Sequence, residues 1–168
     1  MSITSSELGI ICKELNRVLA GGTLGQVVHF TRRRLILSIS QKSYDHNLLI
    51  CLEEPFLRIH LTRGRLRGKE NRFPFGQFLG KSLAGFTVEE VRQVNDDRIA
   101  ELRLARGNET RFVLVELFRA RPDVYLLKEN RVVIADWRRE TAGQQYTPKS
   151  KTGFRATAPR FTPRKGEM

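Results

Sequence analysis

The stretch QVNDDRIAELRL, Gln93 to Leu104, sets an acid beside a base, Asp97 and Arg98, where a polar turn runs into an alternating strand. A guanidinium so placed can clamp a phosphate at two points or lie flat on an unpaired base. The adjoining carboxylate can orient it, or accept hydrogen bonds from a base or sugar. Equally, Asp97 can complete the turn while Arg98 solvates the strand edge; spacing alone leaves both open. Two further stretches concentrate similar chemistry. FLRIHLT, Phe56 to Thr62, alternates so that Arg58 and His60 share one face and Leu57, Ile59 and Leu61 the other. RGRLRGKENR then carries Arg63, Arg65, Arg67, Lys69 and Arg72 against one acid, Glu70, and reads as an exposed loop.

Other chemistry finds little support. His29, His46 and His60 stand in no spacing with cysteine or carboxylate that resembles a metal site. No phosphate loop, dinucleotide fingerprint or nucleophile elbow is present. The adjacent carboxylates Glu53–Glu54 and Glu89–Glu90 point to opposite faces of a strand, which makes them poor acid–base partners. Neither a catalytic residue nor a metal or cofactor is expected. Two cysteines, Cys12 and Cys51, in a helical and a strand pattern respectively, read as buried free thiols.

The elements that must position these residues are legible. TSSE, Thr4 to Glu7, has the form of a capping box. Leu8, Ile11, Cys12, Leu15, Val18 and Leu19 follow at helical spacing, and Gly21–Gly22 ends the helix. Strands are expected over residues 23–30, 34–40, 47–53 and 56–62, separated by a polar loop and the Glu54–Pro55 turn. Pro74 opens a second helix over 74–84, with Phe75, Phe78, Leu79 and Leu83 as its apolar stripe. A meander over 86–94, 98–105, 111–118, 123–128 and 131–136 completes nine strands. The expected fold class is α+β, mainly β: a β-sandwich or flattened barrel with two helices.

The 168 residues carry 30 basic groups against 18 acids, a net charge of +12, and 22 of the basic residues are arginine. Arginine pairs with phosphate through a planar fork and stacks on bases, so the balance favours a polyanionic partner. A high-GC coding bias would produce the same surface. Residues 138–168 hold eight basic groups and two acids, so +6 of the +12 lies there, with three of the six prolines and no sustained apolar period. A domain over 1–137 and an extended basic tail over 138–168 are therefore expected. No run approaches the ~20 apolar residues of a membrane span, and the N-terminus lacks the pattern of a secretory signal, so a cytoplasmic location is expected.

Taken in order, the segments resemble the N-terminal domain of the NFACT family. KELNRVLAGGTLGQV is similar to the family's opening helix and Gly-Gly turn, and EEPFLRIHLT to its strand ending in R-I-H-L-T. The run FPFGQFLGKSLAGFTVEEVRQVNDDRIAEL resembles the block P-x-x-F-x-x-x-L-R-K-x-L-x-G followed by Q-x-x-x-D-R-I. LVELFRARPDVYLLKENRVVIAD resembles E-L-x-G-R-x-x-N-x-x-L, and TAGQQYTP the G-x-x-Y-x-P that trails the domain. The resemblance implies a fold similar to the N-terminal domain of formamidopyrimidine DNA glycosylases. It also implies a non-catalytic part in ribosome quality control, in contact with tRNA and the large ribosomal subunit. The family's D-R pair falls on Asp97 and Arg98. This chain departs from the pattern at Gly80, where the family has arginine before Lys81, and at Arg119–Ala120, where it has Gly-Arg.

The expected RNA-binding set is Asp97, Arg98, Arg58, His60, Arg63, Arg65, Arg67, Lys81, Arg92, Glu116 and Arg121. Further domains of the family, supplied by another chain, are possible partners; a membrane or a small-molecule substrate is not expected. Two other readings are carried forward. One is a protein-binding module of the fibronectin-binding kind. The other is a glycosylase-like enzyme, for which the proline amine that would attack a lesion is replaced by Ser2.

Overall fold

Thr4 caps the first helix as its spacing predicts. Its hydroxyl accepts the Glu7 amide at 3.1 Å, and the Glu7 carboxylate accepts the Thr4 amide at 2.8 Å. Helix α1 runs Ser5–Leu19 and buries Leu8, Cys12, Leu15 and Leu19, one residue per turn on one face. Gly21, at φ 90°, turns the chain out of it. The burial that packs this face raises the Cys12 thiol to about 12, so it is an inert core group.

The computed structural model describes residues 3–42, 44–63 and 70–148. After α1 come β1 (Thr23–Thr31), β2 (Arg34–Ser40), β3 (Asp45–Cys51) and β4 (Arg58–Thr62). Helix α2 (Pro74–Leu83) follows, then β5 (Thr87–Gln93), β6 (Ile99–Arg106), β7 (Glu109–Glu116), β8 (Asp123–Lys128) and β9 (Val133–Asp136). Among the described residues, nine strands and two helices match the sequence reading, with boundaries shifted by a few residues.

The strands form one antiparallel sheet in the order β4-β3-β2-β1-β5-β6-β7-β8-β9. Its two halves meet where Thr23 pairs with Thr87, flanked by bonds from Gly21 to Val88 and from Leu24 to Phe86. The sheet bends over a shared core: Leu37 and Ile50 from the first half lie in one apolar cluster with Val113 and Val124 from the second, and both helices contribute to it. The architecture is thus α+β, mainly β, built on a continuous sheet whose first and last strands are β4 and β9. At one end the halves also touch directly. The Trp137 indole N–H donates to the Arg32 carbonyl at 2.9 Å, and Arg119 pairs with Glu54 at 3.2 Å.

A second apolar cluster covers the outer face of β6 to β9 and corrects the expected domain boundary. Packed structure does not stop at Trp137. Residues 143–146 return to β9, with Val133 bonding to Gln144 and Tyr146 to Arg131, and the Tyr146 ring joins Phe112, Leu114, Tyr125 and Val133. An aromatic residue that can cover this outer face holds the chain down despite a polar neighbourhood. Residues 149–168 of the expected tail lie outside the described residues.

Candidate functional site

The β5–β6 turn reverses through Asn95 and Asp96, both at positive φ (56° and 52°), a geometry that asparagine and aspartate tolerate better than most residues. The next residue, Asp97, points inward. It is 3% exposed, and its Oδ1 accepts the backbone N–H of Arg98 at 2.8 Å. The Gln93 side chain ties the turn to α1 by donating both to the Asp97 carbonyl (2.8 Å) and to the Ser5 carbonyl (2.6 Å). Asp97 therefore completes the turn and does not offer its carboxylate at the surface. Arg98 is half-buried, and its guanidinium lies 5.0 Å from the centre of the Phe118 ring. A stacked guanidinium loses side-chain freedom while keeping its donor edge outward.

Behind Arg98, the Glu116 carboxylate is fully buried. Its Oε1 accepts from the Tyr125 hydroxyl (3.1 Å) and its Oε2 from that of Tyr146 (2.7 Å). Burial, with the Glu116 charge alongside, pushes the Tyr146 phenol above its ordinary range, so the hydroxyl stays a donor. Glu116, expected as an RNA contact, is thus a support under the surface: a carboxylate in the core persists only where donors satisfy it.

The other expected residues do not converge. Arg92 and Arg131 both bond to the buried Glu101, at 2.9 and 2.8 Å. Burial opposes ionisation of Glu101, but these two guanidinium bonds outweigh it and hold its carboxyl below the usual value. Arg92 is therefore engaged in a structural pair. On β4, Arg58 donates to His60 Nε2 (3.1 Å), to the Phe56 carbonyl (2.9 Å) and to Cys51 Sγ (3.4 Å). His60 Nδ1 faces the Leu61 carbonyl at 2.8 Å. Both residues border a groove of about 540 Å³ between α1 and β4, walled by Ile3, Ile10, Ile11 and Leu57. Arg63 is exposed after β4, and Lys81 is exposed in the last turn of α2. Arg121 pairs with Glu140. Arg65 and Arg67 lie outside the described residues.

What the structure gathers instead is a cleft of about 360 Å³ at the end where the halves touch. Arg32 and Arg33 enter from the β1–β2 turn, Phe73 to Phe75 from the start of α2, and Trp137 to Glu140 from the exit of β9. Arg33 and Arg138 both lie over the Trp137 ring, 5.5 and 5.6 Å from its centre. His29 forms the floor: it is 2% exposed, accepts the Gly76 amide at Nδ1 (3.2 Å) and meets the Arg32 carbonyl at Nε2 (2.9 Å). Burial lowers its pKa, which keeps the ring neutral. Sequence reading missed this cleft. The signal was two adjacent-arginine runs, TRRR and WRR, each at a strand end, but nothing in the linear order joins them.

Among the described residues no group of three or more histidines, cysteines and carboxylates could hold a metal ion. Nor is any helix among them long and apolar enough to cross a membrane.

Comparison with known proteins gives a consistent picture. Residues 5–149 match the family described as NFACT N-terminal and middle domains. The chain is 30% identical over 109 residues to the Rqc2 homolog RqcH of Streptococcus pneumoniae and 28% identical over 109 residues to that of Streptococcus suis. These alignments cover 65% of this chain and 20% of each relative, so the chain spans about a fifth of their length. Among solved structures, it is similar to the N-terminal domain of the fibronectin-binding protein PavA from S. pneumoniae, with TM-score 0.80 and 22% identity. That match covers 88% of this chain and 65% of the other. It is also similar to a fibrinogen-binding protein from Staphylococcus aureus, with TM-score 0.73 and 20% identity over 93% of this chain and 56% of the other. At these identities the structural matches establish the fold.

Proposed function

This chain belongs to the family of NFACT N-terminal and middle domains, the ribosome quality control family that includes RqcH, and from that premise we propose that it is a non-catalytic RNA-binding module of the cytoplasm that contacts tRNA and the large ribosomal subunit. The observation that carries the reading is Arg98: its backbone is fixed by the buried Asp97 and its guanidinium is stacked on Phe118. The loop that begins at Phe118 leads toward the cleft through Arg119 and Arg121, each paired with a glutamate, and the cleft arginines give one end of the molecule a cationic surface with an aromatic platform. Asp97 acts as a positioning residue and Arg98 as the contact.

Filter binding of tRNA tests this. Arg98→Ala weakens binding by about tenfold, the loss expected for a charge-assisted bond to phosphate together with a stacking contact. Arg164→Ala, near the C-terminus, weakens it much less. Equal small losses from the two would reduce Arg98 to background charge.

A second reading, protein binding, is favoured by the names of the fibronectin- and fibrinogen-binding relatives and by the apolar groove beside the β4 edge. Capture of the chain on immobilised fibronectin that survives nuclease treatment would support it over the RNA reading. The module is assigned no chemistry of its own. A borohydride-trapped adduct on lesion DNA would overturn that assignment.

A further inference from the structure

The cleft at Trp137 holds more positive charge than its own carboxylates neutralise. Each nearby acid is engaged elsewhere. Glu140 pairs with Arg121; Asp136 accepts the backbone amides of Glu140 and Thr141; Asp123 accepts those of Val124 and Arg138. Arg138 anchors by donating to the Pro122 carbonyl at 2.8 Å, and Arg33 to that of Leu52 at 3.3 Å. The guanidiniums of Arg32 and Arg139 form no hydrogen bond or ion pair with any described residue, and both residues are exposed. Desolvation, and then the repulsion of Arg121, Arg33 and Arg32, lowers the pKa of Arg138, a sign of cations crowded against one another.

Two backbone features point the same way. Arg139 is held at φ 62°, uncommon for a residue with a side chain, in a turn fixed by Asp136; strain of this kind persists where the surroundings impose it. The N-terminal end of α2 forms part of the wall, with no acid in its first turn, although Pro74 has no N–H and the Gly76 amide is taken by His29 Nδ1. Its dipole therefore adds to the positive potential of the arginines. The remaining wall is aromatic: Phe73 and Trp137 are each half-buried, and the guanidiniums of Arg33 and Arg138 lie near the Trp137 ring.

We propose that this cleft binds a single nucleotide unit, its 5′-phosphate taken by Arg32, Arg33 and Arg139 and its base received by the rings of Trp137 and Phe73. The volume lies at the lower end of the roughly 300–1,000 Å³ of small-ligand clefts, which suits one unstacked nucleotide and excludes a duplex. An anion alone would not use the aromatic wall, and an uncharged base would leave the arginines unneutralised. The inference rests on the RNA reading only for the source of the nucleotide, which can be a strand or a free monophosphate.

The chain has one tryptophan, Trp137, so its fluorescence reports on this cleft alone. The full chain is titrated at fixed ionic strength with adenosine 5′-monophosphate, adenosine, inorganic phosphate and a 5′-phosphorylated adenosine trinucleotide. The monophosphate is expected to give a saturable change at lower concentration than adenosine or phosphate. The double substitution Arg32→Ala/Arg139→Ala, which removes side chains without described partners, is expected to shift that titration about tenfold or more. A trinucleotide that binds tighter than the monophosphate assigns the cleft to a strand; a monophosphate that binds tighter assigns it to a free nucleotide. A monophosphate no better than inorganic phosphate, or a double variant that titrates like the parent while melting at the same temperature, overturns the proposal. Loss of tRNA binding in the filter assay with the monophosphate response intact would refute the RNA reading and leave the cleft standing.

Discussion

Asp123, at the start of β8, is buried beside Asp136, and two carboxylates so close cannot both ionise without cost. Desolvation first, and then the Asp136 charge, pushes the Asp123 pKa up to about 7. A carboxyl whose pKa is higher in the folded than in the unfolded chain binds its proton preferentially when folded. Its contribution to stability is complete below about pH 4 and is lost as pH rises toward 7. Asp123→Asn keeps an oxygen for the Val124 and Arg138 amides and removes the charge. Relative to the parent, it is expected to gain on the order of 1–2 kcal/mol in urea unfolding at pH 8 and almost nothing at pH 4. Tyr146→Phe makes the opposite kind of change. It withdraws a donor from the buried Glu116 carboxylate and is expected to cost about 1–3 kcal/mol at pH 7 in the same assay. A loss near zero would mean that the segment after β9 contributes little to the fold. At this scale the sequence marked Asp97, Arg98 and Glu116, yet it could not say that both acids face inward. Alternation identifies a face, but which face of an outer strand is covered depends on what packs there, and here that cover is Tyr146.

The β1–α2 contact is set by one glycine. A Cβ built on Gly76 would stand 2.1 Å from His29 Cβ and 2.8 Å from the Asn71 side-chain oxygen, so α2 can approach β1 only with no side chain there. Gly76→Ala is expected to lower stability by about 1–3 kcal/mol, read as a lower melting temperature, because the helix must move off the strand. It should also alter the Trp137 emission of the unliganded chain, since Phe73 to Phe75 wall the same cleft. The helices and strands themselves were readable. The capping box at Thr4, Pro74 at a helix start and the alternation in Arg34 to Ser40 are local signals whose physical causes lie within a few residues. The packed return of residues 143–146 was not, because its cause is a distant apolar surface and not its own composition.

Along the whole chain, positive charge is divided between the described residues and the final stretch, where residues 149–168 carry six basic groups and one acid. If RNA phosphates are the ligand, the logarithm of tRNA affinity should fall linearly with that of salt, with a slope of about −3 to −4 for roughly five single-strand phosphate contacts. Removing residues 149–168 should flatten the slope while leaving the Arg98→Ala effect in place; a salt-independent affinity would exclude the electrostatic reading. The sequence by itself determined the elements, the mainly β class, the family resemblance and the basic excess, because periodicity, caps, turn residues and formal charge are properties of neighbouring residues. Only the tertiary structure decided which charges are free. Bending the sheet brings the β1–β2 turn against the exit of β9, joining Arg32 to Trp137 across 105 positions, while Arg92, Arg121 and Glu116 are drawn into pairs with partners that linear spacing does not reveal.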